Sequence, residues 1–307
     1  MWRWLLLLSA LLAAPAAALA PGDYRFELRH GGRDRSYLVH VPPRPAGPMP
    51  VVLSLHGGGG SAEQHRRSSG MDAAADRDGY VAVYPNGSGR LGDRLLTWNA
   101  GNCCAYAQAE GIDDVGFIAA LLDDLARRTD VDSRRIYVVG HSNGGMMAHR
   151  LGDELPGRFA AIASVAGAYL PSAHGSPLPV MHIHSVDDPR ALYAGGLGPP
   201  FPFTSNRVLH LPVAENLAAW AQRDGCAGTP REAERRQDDG QTATRLVYGG
   251  CRAGTEVVLW KLTGSGHGWP GGDRRMEAVL GPPSTLIDAN REVWKFFARF
   301  SLPAGGR

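Results

Sequence analysis

Residues 135–148 read Arg-Ile-Tyr-Val-Val-Gly-His-Ser-Asn-Gly-Gly-Met-Met-Ala, an apolar run that ends at a serine between glycines. Residues 136–139 have the β-branched and aromatic composition of a strand buried in a parallel sheet. Gly140, Ser142 and Gly144 then match the pattern G-x-S-x-G, in which a strand turns sharply into a helix and exposes the serine hydroxyl. A serine that only caps a helix can show the same pattern, but the strand before it and the apolar helix after it favour a nucleophile.

A second glycine-rich segment also follows a buried strand. Residues 51–55 are apolar and lead into His-Gly-Gly-Gly-Gly at 56–60. Glycines let the backbone approach a ligand closely, and an H-G-G-G segment supplies half of the oxyanion hole in serine esterases. We therefore expect the amides of Gly58 and Asn143 to bind a developing oxyanion. A phosphate-binding glycine loop would need G-x-x-x-x-G-K-[ST], or G-x-G-x-x-G with an acidic residue in place after it, and the glycine run at 57–60 matches neither pattern.

An acid and a base follow Ser142 along the chain. Residues 180–184 predict a strand whose end carries Asp187 and Asp188, on the side where open α/β sheets bind ligands. His267 stands in a run rich in glycine, which favours a loop facing a cleft. The order serine, acid, histidine is that of the α/β-hydrolase triad, in which the imidazole takes the serine proton and the acid orients the imidazole. From these residues, either aspartate could be the acid.

The strand at 180–184 also carries His182 and His184, which point to one face and could in principle share a metal ion. No carboxylate or cysteine stands at a recognisable spacing as a third ligand. We therefore expect two core histidines, no metal and no cofactor.

The remaining pattern predicts an α/β fold with a mostly parallel sheet, because strands and helices alternate from residue 51 onward. Residues 24–30 and 35–41 predict an antiparallel hairpin at the sheet edge, and residues 285–300 predict a final amphipathic helix. Residues 190–206 are rich in Gly, Pro and Phe without a period, which indicates a lid-like insertion. The length of 307 residues suits one domain of this class.

The first twenty residues predict export. Residues 1–20 combine a positive start at Arg3, an apolar core and small residues at the end, which is typical of a secretory signal peptide. Cleavage could follow Ala16, Ala18 or Ala20, which leaves a single catalytic domain at 21–307. The expected location is extracellular or periplasmic, without membrane attachment after cleavage. The formal charge of +2 and the scattered arginines indicate no nucleic-acid partner, and we expect a monomer.

Export permits disulfides, and the four cysteines allow three pairings. Cys226 and Cys251 each border a predicted turn, and the two turns lie before and after the same local segment of the chain. We therefore expect these two cysteines to pair. Cys103 and Cys104 are adjacent. They could pair with each other in a strained ring, or pair with Cys226 and Cys251 and tie two distant loops together.

Several segments together resemble the secreted esterases that include polyhydroxybutyrate (PHB) depolymerase-like proteins and the feruloyl esterases of carbohydrate esterase family 1. The resemblance implies the α/β-hydrolase fold, with a mostly parallel central sheet, helices on both faces and a lid-like insertion. It places the triad acid on Asp188, and it places a cysteine pair at Cys226 and Cys251. One departure is Ser185-Val186, where the family has a glycine and a small polar residue. The matching segments are 55–60, 98–101 with 103–104, 111–117, 140–147, 182–188 and 266–271.

The resemblance and the residues together predict a serine carboxylic-ester hydrolase that acts through an acyl-enzyme, on a small or polymer-linked ester. Trp98, Trp269 and the segment with Phe201 and Phe203 could line an aromatic cleft, which favours feruloyl esters of plant polysaccharides; alternatively, these rings only pack the lid. PHB or another polyhydroxyalkanoate is the second candidate substrate. A catalytically silent binding protein on the same fold is the alternative of another class, but such a protein would be expected to have lost a triad residue.

Overall fold

The structure is a computed structural model that describes residues 19–45, 47–200 and 207–304. The predicted signal peptide therefore lies almost wholly outside the described residues, as do Phe201 and Phe203. Within the described residues, ten strands form one sheet in the order β1-β2-β4-β3-β5-β6-β7-β12-β11-β10. The strands of this sheet are β1 (Gly22–His30), β2 (Arg33–Val41), β3 (Met49–Leu55), β4 (Val81–Pro85), β5 (Val131–His141), β6 (Ala161–Val165), β7 (Val180–Ser185), β10 (Arg231–Asp238), β11 (Gln241–Tyr248) and β12 (Val257–Thr263).

The middle of the sheet is parallel and its two edges are antiparallel. Strands β4, β3, β5, β6, β7 and β12 pair in parallel, whereas β1–β2 and β10–β11–β12 pair antiparallel. Strands β3, β4, β6 and β7 are buried along their whole length, which explains the largely apolar sequences of β3, β4 and β6, whereas β7 also buries two histidines. The predicted edge hairpin is confirmed, with His30 paired to Arg33 across the glycine turn.

Helices cover both faces of the sheet, and the alternation of side chains along each strand sorts the core into two layers. One layer includes Val51 and Leu53 of β3 and packs against α4, α5 and α6. The other includes Val52 and packs against α2 and α8. The helices are α1 (Ala62–Ser69), α2 (Met71–Asp78), α3 (Ala105–Ala109), α4 (Asp114–Arg128), α5 (Asn143–Glu154), α6 (Val213–Asp224), α7 (Glu277–Leu280) and α8 (Ala289–Phe297).

This arrangement confirms the predicted α/β-hydrolase architecture and corrects two of its details. The final helix is shorter than 285–300, because Asp288 caps it by accepting a hydrogen bond from Arg291 N. The predicted insertion at 190–206 contains a short strand, β8 (Gly196–Leu197), which pairs antiparallel with β9 (Leu209–His210) just beyond it and before α6. Among the described residues, no helix is both long and apolar enough to cross a membrane.

Candidate active site

Ser142 occupies the sharp turn between β5 and α5. Its backbone has φ 56° and ψ −120°, a region that a residue with a side chain rarely adopts. A Cβ atom at Gly140 would collide with the backbone of Gly144, and a Cβ atom at Gly144 would collide with the carbonyl of Leu55. The glycines of the motif are therefore required by the close approach of strand and helix. The strained turn presents Ser142 at the carboxyl edge of the sheet, which is the geometry of a nucleophile elbow.

His267 and Asp188 form a buried pair beside this turn. His267 Nδ1 lies 2.6 Å from Asp188 Oδ2, and both side chains are almost fully buried. Asp187 is exposed, and its carboxylate instead accepts a hydrogen bond from Gly264 N at 2.7 Å. Of the two candidate acids, the structure therefore places Asp188 on the histidine.

The surroundings of Asp188 favour its ionised form. Burial opposes ionisation, but the charge of His267 and hydrogen bonds from His184 and His267 lower the pKa of Asp188 below its usual range. The other oxygen, Oδ1, accepts hydrogen bonds from Arg190 N at 2.7 Å and Ala191 N at 2.8 Å. Asp188 is therefore suited to hold a proton on His267 Nδ1 and to stabilise an imidazolium.

Ser142 and His267 line one cleft of about 190 Å³, together with Gly57 and Gly58. Among the described residues, Ser142 Oγ forms no hydrogen bond with His267, and catalytic hydrogen bonds of this kind often tighten only when substrate binds. His141 fixes the loop of His267, because its Nε2–H donates to the His267 carbonyl at 2.7 Å. Burial lowers the pKa of His141 to about 4, so this imidazole is neutral at neutral pH.

The glycine loop is held by His56, a residue that the sequence reasoning did not assign to the site. His56 Nε2 accepts a hydrogen bond from Gly87 N at 3.0 Å, so its Nδ1 carries the proton and donates to the Gly57 carbonyl at 2.8 Å. Because the carbonyl and the next N–H of a trans peptide point in opposite directions, this bond turns the Gly58 N–H away from His56. The sequence did carry a signal for this role, because His56 is the histidine that begins the H-G-G-G pattern.

Asn143 is held from the opposite side by Trp98. Trp98 N donates to Asn143 Oδ1 at 2.8 Å, and Asn143 Nδ2 donates back to the Trp98 carbonyl at 3.1 Å. The indole N–H of Trp98 donates to the His56 carbonyl at 2.9 Å. Trp98 thus joins the two segments that carry the candidate oxyanion amides.

These bonds correct the expected role of Trp98 as a substrate-binding residue. Its side chain is 0 % exposed and packs against the ring of His56, with 4.9 Å between ring centroids, and it is not among the residues that line the cleft. Trp269 does line the cleft, although it is only 5 % exposed and its indole N–H donates to Asn290 Oδ1 at 3.2 Å. Of the described residues, Trp269 is the one tryptophan, phenylalanine or tyrosine on the cleft wall.

The cysteines form two pairs. A disulfide joins Cys226, just after α6, to Cys251, just after β11. Cys103 pairs with its neighbour Cys104, so the pairing that the sequence left open does not tie two distant loops together. Asn143 Nδ2 also approaches Cys103 Sγ at 3.8 Å, which places this pair beside the turn that carries Ser142.

The described residues contain one group of three potential metal ligands with donor atoms within 4.8 Å of one another. The group consists of Asp23, His40 and Asp72, and none of these residues lines the cleft. Arg66 already forms ion pairs with both of these aspartates, at 2.5 Å and 2.6 Å. His182 and His184 hydrogen-bond to each other, with 3.0 Å between their ring nitrogens.

Comparison of the sequence with known proteins identifies one family and several relatives. The family model described as "Esterase PHB depolymerase" matches residues 35–199. NocK of Nocardia uniformis subsp. tsuyamanensis, described as an esterase, is 35% identical over 262 residues, covering 78% of this chain and 72% of that protein. Feruloyl esterase D of Neurospora crassa is 27% identical, and the match covers 97% of this chain and 96% of that protein. Feruloyl esterase B of Piromyces equi is 28% identical over 83% of this chain, but only 42% of that protein is matched.

Comparison of structures supports the fold. An acetyl xylan esterase from Aspergillus awamori superposes with a TM-score of 0.60, covering 90% of this chain and 99% of that chain at 14% sequence identity. A structure titled pOPH superposes with a TM-score of 0.53 over 82% of both chains, at 18% identity. At these identities the likeness concerns the fold alone.

Proposed function

The chain belongs to the esterase family described as PHB depolymerase, and from this membership we propose that Ser142, His267 and Asp188 form the catalytic triad of a carboxylic-ester hydrolase. The observation that carries the assignment is the buried 2.6 Å bond between His267 and Asp188, beside a cleft that the strained Ser142 also lines. A buried carboxylate that orients an imidazole toward a serine hydroxyl is the arrangement that activates the hydroxyl as a nucleophile.

In the first half of the proposed reaction, Ser142 Oγ attacks the ester carbonyl while His267 Nε2 takes the hydroxyl proton. The Nδ1–H of His267 stays bonded to Asp188, which stabilises the imidazolium. The negative charge on the former carbonyl oxygen is bound by the amides of Gly58 and Asn143, and each such donor is worth about 10²–10³ in kcat. His267 then passes the proton to the leaving alcohol, and an ester between the acyl group and Ser142 remains.

The second half regenerates the enzyme. Water enters from the cleft, loses a proton to His267 and attacks the acyl-serine ester; the acid leaves and Ser142 recovers its proton from His267. All groups used in this cycle are side chains or amides of the chain itself, so the proposal needs no metal or organic cofactor.

Replacement of the nucleophile tests the assignment. We expect Ser142→Ala to lower kcat on p-nitrophenyl acetate by about 10⁴-fold or more. Ser68→Ala is the matched control, because Ser68 lines the same cleft and, within the described part of the chain, its hydroxyl bonds only the His65 carbonyl. Mass spectrometry after treatment with a phosphonate ester should find the adduct on Ser142. Near-normal turnover of Ser142→Ala would show that the triad is wrong, and an inactive wild type would favour a silent binding protein.

For the substrate, we propose a feruloyl-type carboxylesterase that acts on esters of plant polysaccharides. Relatives named feruloyl esterase support this, and Trp269 offers an aromatic edge beside the cleft. Hydrolysis of PHB or another polyhydroxyalkanoate is the second candidate, supported by the family description. Comparison of kcat/KM on methyl ferulate and on 3-hydroxybutyrate oligomers decides between them. A preference for the oligomers with negligible ferulate release would exclude the feruloyl proposal without affecting the triad.

We also propose that the protein is exported, that residues 1–20 are removed as a signal peptide, and that residues 21–307 are a monomeric single domain. The two cysteine pairs support export, since such bonds persist in oxidising compartments. Amino-terminal sequencing of the protein recovered outside the cytoplasm tests the cleavage, and light scattering tests the oligomeric state.

A further inference from the structure

Three buried histidines lead from the interior of the protein to the candidate acid. His149 of α5 and His182 and His184 of β7 are each at most 2 % exposed. His149 Nε2 lies 3.3 Å from His182 Nδ1, and His182 Nε2 lies 3.0 Å from His184 Nδ1. His184 Nε2 in turn lies 2.8 Å from the Ala191 carbonyl and 3.4 Å from Asp188 Oδ2. We call these three residues the histidine array.

The two acceptors at the end of the array fix the direction of its hydrogen bonds. A carbonyl and a carboxylate can only accept, so His184 Nε2 carries a proton and donates. A proton on His184 Nδ1 would have to be accepted by His182 Nε2, which would reverse the array and leave a proton on His149 Nδ1, an atom with no hydrogen-bond partner among the described residues. His184 Nδ1 is therefore bare and accepts from His182 Nε2–H. The same reasoning makes His182 Nδ1 accept from His149 Nε2–H.

The far end of the array fits this direction. His149 Nδ1 has no hydrogen-bond partner among the described residues, and in the deduced tautomer it carries no proton that needs an acceptor. The ring of His149 stacks on the buried ring of Trp220, with 5.8 Å between centroids. Burial lowers the pKa of His149 to about 3 and lowers the pKa of His182 well below its usual range, so both are neutral at neutral pH. All three N–H dipoles therefore point toward Asp188.

At the end nearest the candidate acid, His184 of the array binds the backbone turn that in turn binds Asp188. His184 binds the carbonyl of Ala191, and the amide of Ala191, with that of Arg190, donates to Asp188 Oδ1. The Nε2–H of His184 also faces Oδ2, the oxygen that bonds His267. Both oxygens of the carboxylate are thus fixed, directly or through the turn, by the last member of the array.

We infer that His149, His182 and His184 are positioning residues, whose one-way hydrogen-bond array fixes the Asp188 carboxylate in the orientation that aligns His267. Hydrogen bonds in a buried chain polarise one another, so each histidine strengthens the donor that reaches the acid. The role in catalysis rests on the proposed function, whereas the direction of the array does not.

The direction is tested first by NMR on protein labelled with ¹⁵N at histidine. Two-bond ¹H–¹⁵N correlations distinguish the two neutral tautomers and the imidazolium. From the hydrogen-bond geometry we expect all three histidines of the array to carry a proton on Nε2 and none on Nδ1, with assignments taken from single replacements. An Nδ1–H tautomer or an imidazolium at any of the three would overturn the inference.

The effect on catalysis is tested by a pair of replacements at His182. His182→Gln keeps an amide N–H to donate to His184 and an oxygen to accept from His149, whereas His182→Leu fills the space but can do neither. We expect the leucine variant to lose at least about tenfold in kcat at unchanged KM, since small misplacements of catalytic groups cost up to about 10²-fold. The glutamine variant should stay within about threefold of the wild type. Ile183→Val, a neighbour on the same buried strand, controls for disturbance of packing.

Equal losses of kcat in the two His182 variants would show that His182 contributes only packing. An unchanged kcat in the leucine variant would show that the array does not position Asp188. Either result overturns the inference. If the leucine variant does not fold, the tautomer spectrum still decides. Activity that survives in Ser142→Ala would instead reject the proposed function, and that result is distinct from every outcome at His182.

Discussion

Replacing the candidate acid by its amide, Asp188→Asn, should disable His267 without removing an atom from the core. In the wild type, Asp188 Oδ1 accepts from two backbone amides at 2.7 Å and 2.8 Å. The asparagine oxygen must stay at that position, because turning the NH₂ toward two N–H donors would leave each donor unsatisfied at a cost of about 1–3 kcal/mol. The NH₂ group then occupies the Oδ2 position, 2.6 Å from His267 Nδ1.

An NH₂ group in that place can only donate, so it selects the His267 tautomer with a bare Nδ1 and a proton on Nε2. That tautomer cannot accept the proton of Ser142. We expect a loss of about 10⁴-fold in kcat, which corresponds to about 5.4 kcal/mol in activation free energy. The assay is hydrolysis of p-nitrophenyl acetate at pH 7.5, with the concentration of folded protein measured independently.

Asp187→Asn is the matched control, because Asp187 is exposed and its contact, Gly264 N, needs only an oxygen acceptor. We expect the control to keep its kcat within about threefold of the wild type. A kcat for Asp188→Asn within tenfold of the wild type would refute the tautomer reasoning. An equal loss in the Asp187 variant would show that the acid has been misassigned.

Three further outcomes concern stability. Gly140→Ala should lower the unfolding free energy by at least about 1–3 kcal/mol, because the new methyl group overlaps the start of α5; Gly249→Ala, which meets no atom within 4 Å, should have little effect in the same denaturant titration. Removal of the second disulfide in a Cys226→Ser/Cys251→Ser variant should cost roughly 3 kcal/mol, and peptide mapping without reduction should find these two cysteines crosslinked in the wild type. Burial opposes the charge of His40, but hydrogen bonds to neighbouring aspartates raise its pKa. Its contribution to stability is then complete below about pH 6.5 and is lost as the pH rises through the folded-state pKa, so the stability difference between wild type and His40→Gln should shrink toward pH 9; a difference independent of pH would contradict this.

Much of the fold could be predicted from local pattern. The run at 136–139 followed by G-x-S-x-G specified a strand, a strained turn and a helix, because apolar composition and glycine spacing act over a few residues. The edge hairpin and the buried strands followed from period and composition in the same way. Strand β10 (Arg231–Asp238) was missed, since it is an exposed edge strand whose charged sequence lacks an apolar face.

The candidate site divides along the same line. The sequence by itself was enough to select the candidate residues, because each of them stands in a local motif: Ser142, His267, the glycine loop at 56–60 and the adjacent aspartates 187 and 188. Only the tertiary structure decided that Asp188 rather than Asp187 reaches His267, since neighbours on a turn point in different directions and a partner 79 residues away must select one. The tertiary structure also buried Trp98 between the two segments that carry the candidate oxyanion amides, and it aligned the histidine array. Those roles depend on contacts between side chains far apart in the chain, which no local pattern encodes.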